Sequence, residues 1–300
     1  DEVSESDHHV PVRDSSTVRV RVYVPTNKKP MQKARPLILA FHEGGWCMGD
    51  LTDEEGNCRL YSRELGAVCV NVEYRLAPEH VFPTSVTDAY DVLKWCARTA
   101  APDSAILPAD PRVGGFVVGG ASAGGNLAAV VCQMARDEGL TPPLTGQYLS
   151  VPAILWSTDV PIKWRSDYRS RCESTDDPVL KLKPDRGEET LRTLRPDTAS
   201  PLFSPLLHPN LKDLPRAFFQ IAGLDPLRDE GLIYEKELRE NNTVTRLNVY
   251  DGFGHMFWTN WPNMERSREF WRDMIEGMRW LLTEEAKTET NGRVASENVP

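Results

Sequence analysis

The feature that most constrains this chain is a five-residue turn, Gly120-Ala-Ser-Ala-Gly124. It lies between a short apolar run, Phe116-Val-Val-Gly119, and a helical stretch that opens Asn126-Leu-Ala-Ala-Val-Val-Cys-Gln-Met134. A strand that turns this abruptly into a helix is half of a crossover unit, and crossovers join parallel strands. The same rhythm runs along most of the chain. Strand candidates are Val18–Val24, Leu37–Phe41, Val68–Val72, Phe116–Gly119, Tyr148–Leu155, Ala217–Ile221 and Leu247–Tyr250. Helical patterns fall between them at about Glu55–Leu65, Val86–Ala100, Gly124–Asp137, Leu227–Arg239 and Met264–Leu282, with Gly139 as the C-cap of the third. Most apolar runs are continuous, which predicts strands covered on both faces. Val18–Val24 alternates apolar and polar instead, and is predicted to be a half-exposed antiparallel edge strand. The expected fold class is α/β, with a mostly parallel central sheet in a single domain spanning 1–300.

The rhythm breaks between Ser157 and about Ser204, a polar stretch with five prolines. A loop of that length without structure of its own is uncommon unless it is functional. It is predicted to be a small cap insertion over the carboxyl edge of the sheet, with a short helix near Glu188–Leu194. The polar tail 283–300 is expected to fray.

The chemistry centres on Ser122. A serine held on a strand-to-helix turn has its hydroxyl exposed and a helix N-terminus behind it, the arrangement of a nucleophile elbow. The same glycines do not form a dinucleotide or phosphate loop, because neither G-x-G-x-x-G nor G-K-[ST] occurs here. His42-Glu-Gly-Gly-Trp46 follows the strand Leu37–Phe41. It is not a zinc motif, since H-E-x-x-H requires His where Trp46 stands. Its glycines suit a loop whose backbone N–H groups point at a developing oxyanion, with His42 bracing it. A serine nucleophile needs a base and an orienting acid. His255 lies after the last strand candidate and before the last helix, and Asp225 directly follows Ala217–Ile221. The chain order Ser, Asp, His suits this architecture. Asp229 is the second candidate acid, expected to face away on a helix, and Asp251 a weaker one.

Charge and cysteine usage narrow the partners. Lys and Arg total 35 against 44 Asp and Glu, a net charge of −9. That balance argues against nucleic acid and gives no polybasic anchor for a membrane. No apolar window approaches the ~18 residues of a membrane span, and the opening DEVSESDHHV reads as no secretory signal. Six cysteines without a CxxC pair suit free buried thiols in a reducing, cytoplasmic setting, although a Cys47–Cys58 bridge stays open.

Taken together, these residues resemble the hormone-sensitive-lipase-like branch of α/β-hydrolases, fungal types included. The resemblance runs from about Val18 to Leu282 through Tyr74-Arg-Leu-Ala-Pro-Glu79, Phe82-Pro83, Asp88-Ala89, Lys94-Trp95, Ser122-Ala-Gly-Gly-Asn-Leu-Ala128, Asp225-Pro-Leu-Arg-Asp-Glu-Gly231 and Gly254-His255. It implies the triad Ser122, Asp225 and His255. It also implies oxyanion donors at Gly44, Gly45 and Ala123, no cofactor or metal, and a homodimer through the sheet edge. Three departures stand out. Glu43 replaces a common glycine, Ala121 replaces a common Asp, and the family's N-terminal cap helices are barely represented before Val18, through a trimmed start or a reduced cap.

The expected activity is hydrolysis of soluble short-acyl carboxylic esters by an acyl-enzyme route, an acylated secondary metabolite being one such substrate. A bulky aromatic alcohol would lie against Trp46. The alternatives are a dehydratase or cyclase using the same pocket, with Glu43 as the feature in its favour, and a ligand-binding relative without catalysis, which the presence of His255 disfavours.

Overall fold

The computed structural model describes residues 2–26, 34–156, 160–173 and 184–282, so the tail 283–300 lies outside the described residues. Its strands are β1 (Val3–Pro11), β2 (Thr17–Pro25), β3 (Leu37–Phe41), β4 (Val68–Glu73), β5 (Phe116–Ala121), β6 (Gly146–Ser150), β7 (Arg216–Ala222) and β8 (Thr245–Tyr250). They form one sheet in the order β1-β2-β4-β3-β5-β6-β7-β8. From β4 to β8 every pairing is parallel, while β2 runs antiparallel to both β1 and β4.

The helices are α1 (Glu55–Leu65), α2 (Thr84–Thr99), α3 (Pro111–Gly114), α4 (Ala123–Asp137), α5 (Ser170–Glu173), α6 (Pro184–Leu194), α7 (Arg228–Glu240), α8 (Phe257–Asn260) and α9 (Glu265–Leu282). Alternate residues of the central strands enter two separate cores. Leu37, Leu39, Phe41, Phe116, Val118 and Phe219 pack with α2, α4 and α7. Ile38, Ala40, Val117, Tyr148 and Phe218 pack with α1 and α9 on the other face. Side chains bury on both faces of β3 and β5, which is why these strands read as continuous apolar runs.

Two sequence expectations need correction. Val18–Val24 is antiparallel as expected but is not the edge, because β1 pairs with it along its whole length from Val3↔Pro25 to Pro11↔Thr17. Most side chains of β1 are exposed, so it carries charge rather than an apolar stripe, as outermost strands do. Asp7 is bonded by Arg21 and Glu5 by Arg59, cross-strand and cross-element pairs that need no hydrophobic signal. The strand expected over Tyr148–Leu155 runs instead from Gly146 to Ser150, since Pro152 cannot continue the ladder. Residues 151–155 stay inside the fold, with Val151 N–H donating to Gln220 O and Ala153 N–H to Ser122 O.

The loops after β3, β5, β7 and β8 all leave the carboxyl ends of strands in one part of the sheet. Open α/β sheets place their ligand crevice there.

Candidate active site

Ser122 follows β5 directly and opens α4 with φ +54° and ψ −115°. A non-glycine residue at positive φ is strained, and this one is held on both sides. Its N–H donates to Ser150 O at 2.9 Å, and its carbonyl accepts from Ala153 and Asn126. The flanking glycines are required by contact rather than by backbone angle. A Cβ at Gly120 or Gly124 would overlap the Phe41 carbonyl oxygen.

The loop after β3 is shaped differently. Gly44 (φ +115°) and Gly45 (φ +61°) take positive φ, and a Cβ on Gly44 would run into the Met48 carbonyl. Glu43 has no such requirement, so a side chain is admissible there. Among the described residues no hydrogen bond uses the N–H of Gly44, Gly45 or Ala123 as donor, which leaves one uncommitted donor next to Ser122 in the chain and two in the loop after β3. His42 is fully buried. Its Nδ1–H donates to Glu43 O at 2.6 Å and its ring stacks on Tyr74 at 4.1 Å, while the Tyr74 hydroxyl donates to His42 O. Burial lowers its pKa. Ala77 N–H donates to Trp46 O, so the Tyr74–Ala77 segment props the loop from behind. His42 is a brace.

Asp225 and His255 come from the loops after β7 and β8. Asp225 is completely buried; its Oδ1 accepts from Leu227 N–H at 2.8 Å and its Oδ2 lies 2.7 Å from His255 Nδ1. His255 Nε2 lies 3.0 Å from Ser122 Oγ. Burial works against charge on His255, but Asp225 beside it, with Glu43 and Glu230 contributing, holds its pKa above the ordinary histidine value. An imidazole in this position can accept a proton from Ser122 while Asp225 fixes its tautomer. The aromatic run after His255 is structural. Phe257 and Trp258 are buried with Tyr250 and Phe270, and Trp258 stacks on Phe270 at 3.8 Å.

Asp229 does not reach His255. Its Oδ2 accepts from the N–H groups of Arg169 and Ser170 at 2.7 Å each, and its Oδ1 from Arg228 Nε. Next to it, fully buried Glu230 accepts from Ile154 N–H and from Arg171 Nε, with the Tyr168 hydroxyl 2.9 Å away. Both acids therefore hold α5 of the insertion. The short helix expected near Glu188–Leu194 is α6, longer at its start, and Thr190 lies beside Gly45. Trp46 is 5% exposed and packs on Phe203 at 5.1 Å, which removes it as a free wall for a substrate. Its ring is committed to the core.

Sequence reasoning missed the partners of Glu43. Glu43 shares a cavity of about 30 Å³ with Asp53, Glu54, Asn57, Ser150, Ala121 and Met256, the last two being the chain neighbours of Ser122 and His255. Only Glu43 itself carried a signal, as a departure from a glycine. Cys47, Cys58, Cys69, Cys96 and Cys132 are free thiols, so no Cys47–Cys58 bridge forms. Among the described residues no group of three or more His, Cys, Asp or Glu is arranged to hold a metal ion, and no helix is long and apolar enough to cross a membrane.

The family profile described as alpha/beta hydrolase fold matches residues 38–259. An AB hydrolase superfamily protein of Schizosaccharomyces pombe is 39% identical over 284 residues, covering 94% of this chain and 81% of its own length. Esterase LipI of Mycobacterium tuberculosis is 37% identical over 245 residues, covering 79% of this chain and 72% of itself. The crystal structure of vibralactone cyclase superposes with a TM-score of 0.87 at 34% identity, covering 97% of this chain and 82% of that one. The chain belongs to the alpha/beta hydrolase fold family, in its hormone-sensitive-lipase-like branch, and is a carboxylesterase-type hydrolase.

Proposed function

We propose that Ser122, His255 and Asp225 form the catalytic triad and that Gly44, Gly45 and Ala123 supply the oxyanion hole, for soluble esters with short acyl groups. The observation that carries this is the continuous chain Ser122 Oγ to His255 Nε2 at 3.0 Å and His255 Nδ1 to Asp225 at 2.7 Å, beside three uncommitted N–H groups. Ser122 Oγ attacks the acyl carbon as its proton passes to His255 Nε2. Asp225 stabilises the imidazolium, and the N–H groups take the charge on the tetrahedral oxygen. Collapse expels the alcohol, which leaves with the proton from His255. Water, activated by the same imidazole, then releases the acid. Two features support the short acyl limit: Trp46, Phe203 and Trp156 pack together beside the oxyanion loop, and α6 reaches over it at Thr190.

A second reading, cyclisation or dehydration of a natural product, is favoured by the likeness to vibralactone cyclase. An acylated secondary metabolite suits either reading. The free thiols support a reducing, cytoplasmic location, and the outer edge of β8 is the place for a homodimer contact.

The test is hydrolysis of a p-nitrophenyl ester series by the wild type and Ser122→Ala. The proposal expects kcat/KM to peak at about two to six acyl carbons, where the apolar pocket is filled, and to fall by several orders of magnitude in the variant. Ser122→Ala keeping a tenth of the activity would overturn it. No turnover of any simple ester would favour the second reading.

A further inference from the structure

The cavity behind the triad has an unusual inventory. Its volume of about 30 Å³ exceeds the ~10–15 Å³ that one water needs. Glu43 lines it from the loop after β3, exposed Asp53 and buried Glu54 from the turn that leads into α1, and Asn57 from α1 itself. Ala121 and Met256, which also line it, are the chain neighbours of Ser122 and His255. Buried Ser150 lines it too, and its hydroxyl has no hydrogen-bond partner; Asn57 Oδ1 has none either. Glu54 is 3% exposed, and a single side-chain bond reaches it, from Asn57 Nδ2 at 2.8 Å. No cation pairs with Glu43 or Glu54 among the described residues. Unpaired buried carboxylates are costly, and unpartnered buried polar groups call for a ligand.

We propose that Glu43 and Glu54 share one proton through water held in this cavity, and that Glu43 thereby gives His255 a second counter-charge beside Asp225. This rests on the triad reading. Glu43 and Glu54 line one water-sized cavity with Glu54 only 3% exposed, so ionising both together is costly, and the pair carries one negative charge and one proton. Burial raises the pKa of both, and each feels nearby carboxylates, Glu43 from Asp53 and Glu54 from Glu43 and Asp53. Asp225 bonds His255 directly, and the charges of Glu43 and Glu230 also act on it. When His255 takes the proton of Ser122, the shared proton passes by the water relay from Glu43 to Glu54. The charge then lies on Glu43, nearer the imidazolium. No proton enters or leaves the pair. Glu43 is a positioning residue, acting through His255, and the water is its bridge. Ala121 matters here because its methyl leaves the space open.

The two carboxyls make opposite predictions, which a merely structural role would not. The measurement is an NMR titration of the His255 imidazole in full-length chain carrying Ser122→Ala, with Glu43→Gln or Glu54→Gln added. Glu43→Gln removes the counter-charge and lowers the His255 titration midpoint by about one pH unit. Glu54→Gln leaves Glu43 ionised and raises the midpoint. Midpoints that stay put, or that move in the same direction, overturn the proposal. Should either variant not fold, infrared difference spectra of the other against its parent decide: loss of one protonated carboxyl band at neutral pH supports the sharing, and no loss overturns it. Neither readout needs ester turnover, so failure here is separate from failure of the esterase reading, which Ser122→Ala kinetics would expose.

Discussion

Asp225 and Asp229 stand four residues apart in one sequence phrase, yet they serve different parts of the molecule. Asp225 lies in the loop before α7 and gives its free oxygen to His255. Asp229 lies in the first turn of α7, turned by the helix away from His255, and caps the backbone of Arg169 and Ser170 in the insertion. Glu230 extends the second role, binding Arg171 and the backbone at Ile154. Acidic residues also suit the positive end of a helix. One turn of chain thus carries both the acid that meets His255 and the acid that anchors α5. What divides them is the start of the helix between them.

The sharpest way to break this comparison is Asp225→Asn. It should lower kcat on p-nitrophenyl acetate by about 10⁴-fold, since the imidazole loses its tautomer and its counter-charge. Asp229→Asn should leave kcat within threefold. If the two variants exchange behaviours in steady-state kinetics, the roles are assigned the wrong way round.

The anchor should show in stability instead. Glu230→Ala leaves Arg171 partly buried without its carboxylate and is expected to cost about 3–5 kcal/mol, read from the urea midpoint. A loss below about 1 kcal/mol would mean the cap is held by other contacts. The double variant Glu230→Ala/Arg171→Met should recover part of the loss, because both members of the pair are then gone.

The pH profile separates the regions again. The base must be neutral to accept a proton, so kcat/KM falls as pH drops through the His255 pKa. Because that pKa is held above the ordinary value of 6.5, the acid limb should lie above pH 6.5 in the wild type. In Asp225→Asn it should move down by about one unit, and in Asp229→Asn it should not move. The smallest effect is expected for Asp229→Asn on binding. Looser backbone capping of α5 should raise KM a few-fold, measured with the longest acyl ester the enzyme accepts.

How much was legible follows from which residues had to satisfy local rules. The elbow was readable because Ser122 at positive φ between two close-packed glycines leaves few other sequences possible. The core strands β3 and β5 were readable because burial on both faces demands uninterrupted apolar side chains. The outer strand β1 was not, because its stability comes from pairing with β2 and from ion pairs, neither of which leaves an apolar period. The strand β6 was overextended because buried irregular chain after Ser150 is as apolar as a strand.

The α/β alternation, the elbow serine, the glycine loop and the chain order Ser, Asp, His were each legible, since each is written in contiguous residues under strong steric or hydrophobic constraint. Folding settled the rest: which acid meets His255, the packing of Trp46 on Phe203, and the cavity that Glu43, Glu54 and Ser150 line together. Those pairings join residues from separate loops and strands. A polar side chain carries no periodic signal of its partner, and its role is fixed only when the sheet brings the carboxyl ends of its strands together.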